Sequence, residues 1–421
     1  MNLAEMLCYA DIDQLTRIAQ NYECHGGSHS KNELIQSILA VIKRRESLES
    51  RMNQMSGDEM RFLNSLLFEN RTAYSMEELK ARAAGTAASG LTTGLIAARP
   101  NTVPNAPAAS GGQDTPSKQR ARAAGGRSRL KPKISPDPAD GPADPVRQAI
   151  IRFKHYGWLF NGFSHQTRSL YQVPDDVKRS LQDALEQKFR SRLDVREEPP
   201  VYRDEGNFLM EDLQTFVRFV GNNDVQLAAD GAIYKRQLQQ ILSLLSVREE
   251  APDKNSGWRF GYGRRFPDYP DRFSLLFDYA CRERLVQEHL DRLVATEAGR
   301  NMAEGRLPND AAAVYRFWLR LYKIPVPNIA VLAHWVSRLS AEWATAVSLF
   351  DILHPLIQPY YFDKEIDIFN KRILNIMMHL GLLRSGISAS GEAVIKSTAL
   401  GRKLAASLPV EQAQPSLPED G

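Results

Sequence analysis

Between Ala84 and Ala143 the composition changes abruptly, and this break constrains the fold more than any other feature of the 421 residues. The stretch is built largely from Ala, Gly, Ser, Thr and Pro, with almost no large apolar side chains. Such a segment cannot bury enough surface to offset its ordering entropy, so it is expected to be disordered. Within it Lys118, Arg120, Arg122, Arg127, Arg129, Lys131 and Lys133 form a basic run without a single acid. The net charge of the whole chain is only +4, so any electrostatic argument rests on clustering of this kind.

The two sides of the break complement each other. Before it, Ser56-Gly57-Asp58-Glu59 and Ser75-Met76-Glu77-Glu78 have the pattern of capping boxes. The first opens a helix with Met60, Leu63, Leu66 and Leu67 inward, and the second opens a shorter helix ending near Ala83. After the break, Asp144-Pro145 starts a helix with Val146, Ala149, Ile150 and Phe153 inward, which stops at Gly157. Two strands are predicted next, Trp158 to Phe163 and Ser169 to Val173, around a polar turn at Ser164–Arg168. Neither half can bury its apolar face alone. Residues 54–192 therefore read as one winged helix, with residues 84–143 inserted between its second and third helices and a helix from Asp175 to Leu193 closing it.

Residues 205–306 repeat the theme, with predicted helices Phe208–Val220, Tyr234–Leu245 and Asp271–Arg284 and short strands to follow. Residues 309–406 run through several helices to Lys371–Leu380, then a strand at Leu382-Leu383, a turn at Ser388–Gly391 and Val394-Ile395. Both stretches end on T-x-x-G-R, Thr296-Glu297-Ala298-Gly299-Arg300 and Thr398-Ala399-Leu400-Gly401-Arg402, a short internal repeat at what would be two related wing-to-helix junctions. Residues 407–421 read as a disordered tail. The fold class is mainly α with small β wings: tandem winged-helix units behind a small helical module.

That module is residues 1–48. Asp11 to Tyr22 carries Ile12, Leu15, Ile18 and Ala19 on one helical face, and Ser30-Lys31-Asn32-Glu33 caps a second helix with Leu34, Ile35, Ile38, Leu39 and Ile42 inward. Two short helices joined by a Gly/Ser turn, the second opened by Ser-Lys-x-Glu-Leu-Ile, resemble the SAP, LEM and Rho N-terminal modules. Many of those bind nucleic acid, while LEM-type ones bind proteins. Phe208-Leu209-Met210-Glu211-Asp212-Leu213, Gly231-Ala232-Ile233-Tyr234-Lys235-Arg236 and His379-Leu380-Gly381-Leu382-Leu383 resemble the winged-helix regions associated with bacterial XPB-type helicases. The resemblance implies the accessory, helicase-associated DNA-binding part without the motor, because no G-x-x-x-x-G-K-[ST] occurs.

Catalytic signals are absent from the sequence. There is no G-x-S-x-G, H-E-x-x-H or D-x-D-x-D-G, and no constellation suited to general acid–base work. Cys24, His25 and His29 are close enough to suggest a metal site, but a structural zinc wants four ligands and a fourth would have to come from Cys8 or elsewhere. The segment reads instead as a small-residue turn with incidental histidines, and no metal or cofactor is expected. His334, His354 and His379 sit in apolar contexts and read as core or interface histidines; Glu249-Glu250 reads as solvated. The three cysteines, Cys8, Cys24 and Cys281, form no CxxC pair and fit a reducing compartment. Neither a signal peptide nor a membrane span is read, which points to the cytoplasm, with nucleoid association as the variant.

Nucleic-acid binding without catalysis is thus the expected function. In a winged helix the third helix enters a groove and the hairpin touches the backbone. Here they offer Arg147, Gln148, Arg152, Lys154 and His155, and then His165, Gln166 and Arg168 at the wing tip; the plainer reading is a solvated helix face. Trp258-Arg259-Phe260-Gly261-Tyr262-Gly263-Arg264-Arg265-Phe266 interleaves aromatics with Arg259, Arg264 and Arg265, as base stacking with phosphate contact would need. The plainer reading there is a loop folding its aromatics onto the core. Lys371, Arg372 and Asn375, with Arg384, are the corresponding candidates in the third unit. The expected partner is DNA, with RNA as the alternative ligand and a helicase or other DNA-processing protein as a further partner; no small-molecule substrate is expected. The competing class is a protein–protein adaptor whose winged helices dock a helicase, polymerase or other partner.

Overall fold

A computed structural model describes residues 1–24, 30–68, 71, 73–86, 145–252, 259–306 and 310–406. The described residues are mainly helical, with three small antiparallel sheets. Of the candidate insert 84–143, residues 84–86 end the sixth helix, and residues 87–143, with the seven cations, lie outside the described residues, as does the tail.

Local capping sets the first elements. Asn2 and Glu5 close a capping box that opens α1 (Leu3–Tyr9), and the Asp11 carboxylate caps α2 (Ile12–Asn21). Then come α3 (Lys31–Val41) and α4 (Arg45–Asn53). α3 opens at Ser30 as expected, but no side-chain cap bond forms there. Both other predicted boxes close: Ser56 and Glu59 exchange bonds at the start of α5 (Gly57–Leu67), and Ser75 and Glu78 do so at α6 (Met76–Thr86).

Past the insert, α7 (Pro145–His155) leads into β1 (Phe160–Asn161) and β2 (Tyr171–Gln172), an antiparallel pair, and then α8 (Asp175–Arg190). Tyr74, between α5 and α6, bridges Tyr171 through two backbone bonds of 2.8 and 2.7 Å. The strands are shorter than the sequence suggested because the hairpin curls early: Gly162 N–H reaches Leu170 O, and Ser164 and Thr167 hold the tip through reciprocal side-chain bonds. α1–α4 pack on this unit. The Met1 ammonium lies 2.8 Å from Asp175, Lys43 lies 2.5 Å from Asp176, and Tyr22 Oη–H donates to Tyr156 O.

The same order of elements returns twice. The second stretch runs β3 (Tyr202–Asp204), α9 (Phe208–Asn222), β4 (Val225–Gln226), α10 (Lys235–Leu244), α11 (Asp271–Arg282), β5 (Val286–His289), β6 (Arg292–Ala295) and α12 (Glu297–Ala303). The third runs α13 (Ala311–Leu321), α14 (Ile329–Leu339), β7 (Ala344–Thr345), α15 (Ala346–Leu353) and a 3-10 turn at His354–Leu356. It continues through α16, a continuous helix made of Glu365–Asp367, a π-helical stretch Ile368–Leu374 and Asn375–His379, to β8 (Leu383–Ile387), β9 (Ala393–Ser397) and α17 (Ala399–Ala406). In each sheet the last hairpin strand lies in the middle, flanked by its hairpin partner and by the segment between the first two helices: Tyr74–β2–β1, β4–β6–β5 and β7–β9–β8, with β3 added beside β8.

The likeness extends to single hydrogen bonds. α7, α11 and α16 all end on a left-handed residue, Gly157 (φ +64°), Arg284 (φ +53°) and Gly381 (φ +70°). The next residue's N–H bonds back five positions in each, Trp158 to Phe153, Leu285 to Ala280 and Leu382 to Met377, which is a Schellman cap. The T-x-x-G-R repeats coincide likewise. Thr296 and Thr398 cap α12 and α17 through Gly299 and Gly401, while Arg300 and Arg402 bond the carbonyls of Ala295 and Ser397. A Cβ at Gly299 would stand 2.0 Å from Leu285 O and one at Gly401 2.3 Å from Leu382 O, so the glycine is the part of the motif that lets helix and strand touch.

Buried apolar residues form one continuous core from Leu3 to Leu404. Its joints are polar contacts: Trp335 Nε1–H donates to Asn64 Oδ1, and Arg61 donates to Pro355 O, tying α5 to the third stretch.

Candidate nucleic-acid interface

The apolar stripe of α7 decides what its other face carries. Ala149, Ile150 and Phe153 are buried, with Val146 partly so, which turns Arg147, Gln148 and Ile151 outward and leaves Lys154 and His155 at the edge of the stripe. Arg147 and Gln148 are exposed, and Arg147 has no side-chain partner among the described residues. Arg152 does not join them: its Nη1 lies 2.9 Å from Glu59 Oε1 on α5, so this cation braces two helices. At the hairpin tip His165, Gln166 and Arg168 are all exposed.

Lys154 and His155 sit at the seam with α2 and are half-buried. The Lys154 ammonium lies 5.6 Å from the Tyr171 ring centroid. Burial pulls the Lys154 pKa below its ordinary value; Asp11 opposes this and Arg17 adds to it. His155 is lowered by burial first, then by the charges of Arg17 and Lys154. Arg17, exposed on α2, is therefore part of the same electropositive strip. Sequence reading missed it because nothing within residues 1–48 signals that α2 lies against α7.

Among the described residues the second and third stretches present no such face. Along α11 every residue from Arg272 to Ala280 is buried. Its position in the repeat is that of a third helix, yet it is enclosed. The Arg/aromatic loop is likewise turned inward. Arg259 donates to Phe266 O and Tyr269 O and pairs with Asp271. Arg265, largely buried, donates to Asp230 O and faces Asp268, and exposed Arg264 pairs with Glu288 at 2.9 Å. Tyr262 is buried and Phe260 packs against Tyr262, Tyr360 and Phe362; Trp258 lies outside the described residues. Among its described residues the loop is a brace, not a stacking platform, because its guanidinium groups are used on carbonyls and carboxylates of the fold, from Asp230 to Glu288.

On α16, Arg372 is buried, with its Nε 2.8 Å from Asp363 Oδ2 and Nη2 2.9 Å from Phe260 O, so it is unavailable as a recognition residue. Lys371 pairs with Asp367 and Arg384 with Asp204, leaving exposed Asn375 as the polar group of that set without a charge partner.

Glu249 also departs from expectation. Glu250 is exposed, but the Glu249 carboxylate accepts the N–H groups of Arg272 (3.0 Å) and Phe273 (2.9 Å), capping α11 from another segment. Burial raises its pKa despite those bonds. Beside it, fully buried Arg272 lies 2.6 Å from Asp212 and 3.5 Å from Glu205, and His379 Nδ1 lies 3.0 Å from Glu205. A cleft of about 340 Å³ next to this cluster is lined by Glu249, Arg259, Asp271, Lys371, Asn375 and His379 among others. His334 is a packed histidine with Nδ1 3.1 Å from Ala405 O, whereas His354 is exposed, its ring edge-on to Phe350. Cys24 is half-buried, and His25 and His29 lie outside the described residues. Among the described residues no group of three His, Cys, Asp or Glu is placed to hold a metal, and no helix is long and apolar enough to cross a membrane.

Comparison with protein-family models, with curated proteins and with solved structures finds no match for this chain.

Proposed function

We propose that this chain is a non-catalytic nucleic-acid-binding protein, with DNA as its main ligand, acting from the cytoplasm. The carrying observation is the face of α7 on which Arg147 and Gln148 are exposed and Lys154 and His155 half-buried beside Arg17, with Arg147 lacking an acid partner among the described residues. The order helix, strand, helix, helix, hairpin, with the last strand central, is that of a winged helix, and we read it in all three stretches. The SAP-like reading of residues 1–48 and the kinship with XPB-type helicase-associated regions belong to the same proposal. Of the three units only the first offers its third helix to a ligand among the described residues; the other two serve as scaffold.

In this reading the seven cations of the basic insert add further phosphate contacts. Fluorescence anisotropy with labelled duplex and single-stranded DNA and RNA at low and moderate salt tests the proposal. Binding that weakens steeply with salt is expected, and no binding to any of them at low salt overturns it.

One feature favours the adaptor reading as second. Tyr361 (81% exposed) and Phe362 (66% exposed) crown a turn in which Tyr360 and Asp363 exchange backbone bonds, and Tyr361 holds φ +51°. A bulky residue in that region is strained. Two of the cations near it are matched by acids, Arg372 by Asp363 and Lys371 by Asp367, which suits a protein partner better than a phosphate backbone.

A further inference from the structure

We infer that Tyr9 and Phe163 form an aromatic platform beside the basic strip and take an unpaired base, so that the preferred ligand is a duplex continuing into a single strand. This rests on the nucleic-acid reading above and narrows its substrate class.

Tyr9 is the last residue of α1, held in place by Ala10, which is buried and whose N–H closes the helix onto Met6 and Leu7. Phe163 follows β1 at the base of the hairpin tip. Their ring centroids are 4.6 Å apart at 30°, close to an offset stack, yet Tyr9 remains 66% exposed. Two elements distant in sequence thus meet so that Phe163, itself partly buried against the core, backs a Tyr9 ring left in water. The cations lie alongside. Lys154 faces Tyr171, the bridge partner of Tyr74 on the same hairpin, and Lys154 and His155 both feel Arg17. Asp11, whose charge acts on Lys154, is held at the start of α2 by Gln14 N–H at 2.6 Å.

A continuous duplex uses the cations of such a surface but not its rings, since its own bases are already stacked. An unpaired base has a free face, and stacking on an aromatic side chain is tolerant of sequence. Rings and cations side by side therefore match a ligand that offers both a phosphate backbone and a free base face. A purely structural contact between α1 and the hairpin would serve equally well with the rings buried.

The experiment compares a blunt duplex with the same duplex carrying a short 5′ or 3′ overhang, by anisotropy, on the full chain. The wild type is expected to bind one overhang ligand about tenfold more tightly than the blunt one. Tyr9→Leu and Phe163→Leu are expected to bring that ratio to within about twofold while blunt-duplex affinity stays unchanged; the thermal midpoint should hold in Tyr9→Leu and fall modestly in Phe163→Leu, whose ring packs on the core. Equal wild-type affinity for blunt and overhang ligands overturns the inference and leaves the broader reading standing. An equal loss on both ligands in the leucine variants also overturns it, marking the pair as structural. No binding to either ligand removes the reading on which it depends.

Discussion

Replacing Arg147 and Arg168 together by alanine separates phosphate contact from fold maintenance more cleanly than any other change on this surface. Both side chains are exposed, and neither has a side-chain partner among the described residues. Their loss should shift the unfolding free energy by no more than about 0.5 kcal/mol, as for ordinary surface substitutions. Binding should respond differently. Each phosphate contact on duplex DNA contributes about −0.9 to the slope of log K against log salt. If the folded surface contributes Arg17, Arg147, Lys154 and Arg168, its share of the slope is about −3.6, and the double variant retains about −1.8 of it. Between 50 and 200 mM salt, a fourfold rise, each contact removed makes the fall in affinity about 3.5-fold smaller. Anisotropy titrations at four or five salt concentrations measure this directly, with urea melts on the same preparations as the control. A double variant with wild-type slope and weaker binding at every salt concentration would refute the reasoning, because it would place the two arginines off the backbone. The insert provides the upper comparison: deleting 117–133, with its seven cations, should flatten the slope further without lowering the urea midpoint.

Three further outcomes follow from single residues. His155 has its pKa held below the ordinary histidine value by burial and by Arg17 and Lys154, so it is mostly neutral at pH 7 in the free protein; a bound phosphate would raise it, and affinity should therefore increase as pH falls from 7.5 to 5.5. In His155→Asn that pH dependence should be lost, as read by anisotropy at each pH. Arg372→Ala strands the buried Asp363 carboxylate and should cost about 3–5 kcal/mol by urea denaturation, while leaving the salt slope of whatever folds untouched. At the repeated helix end, Arg284→Gly should gain about 1 kcal/mol by releasing a left-handed non-glycine residue, whereas Gly381→Ala should lose about 2 kcal/mol or more, its Cβ falling 2.0 Å from Gly206 O; thermal melts of the pair test both signs.

The contrast between what sequence showed and what it hid has a physical pattern. Helix starts were legible from local caps: Ser56 with Glu59 and Ser75 with Glu78 act across three residues, so the bonds are implied by the order of side chains, while at Ser30 the start was legible and the cap bond was not made. The repeat was half legible, through T-x-x-G-R, because the threonine bond and the close approach at glycine both act at one junction. The fates of the arginines were not. Arg147, Arg152, Arg259, Arg265 and Arg372 look alike as residues near aromatics or on a helix face, and only Arg147 stays open. The others end on Glu59, Phe266 O, Asp230 O and Asp363, of which Glu59 is 93 residues away in sequence from Arg152. Glu249 belongs with them, a loop acid by sequence that caps α11 from 23 residues away. A cation is a candidate for a ligand only after the fold has declined to use it, and here the fold uses most of those that composition would nominate. That subtraction concentrates the functional argument on one helix face and one hairpin tip. It also brings in Arg17, Tyr9 and Phe163, which no motif marks and which matter only because α1 and α2 lie against the hairpin and α7.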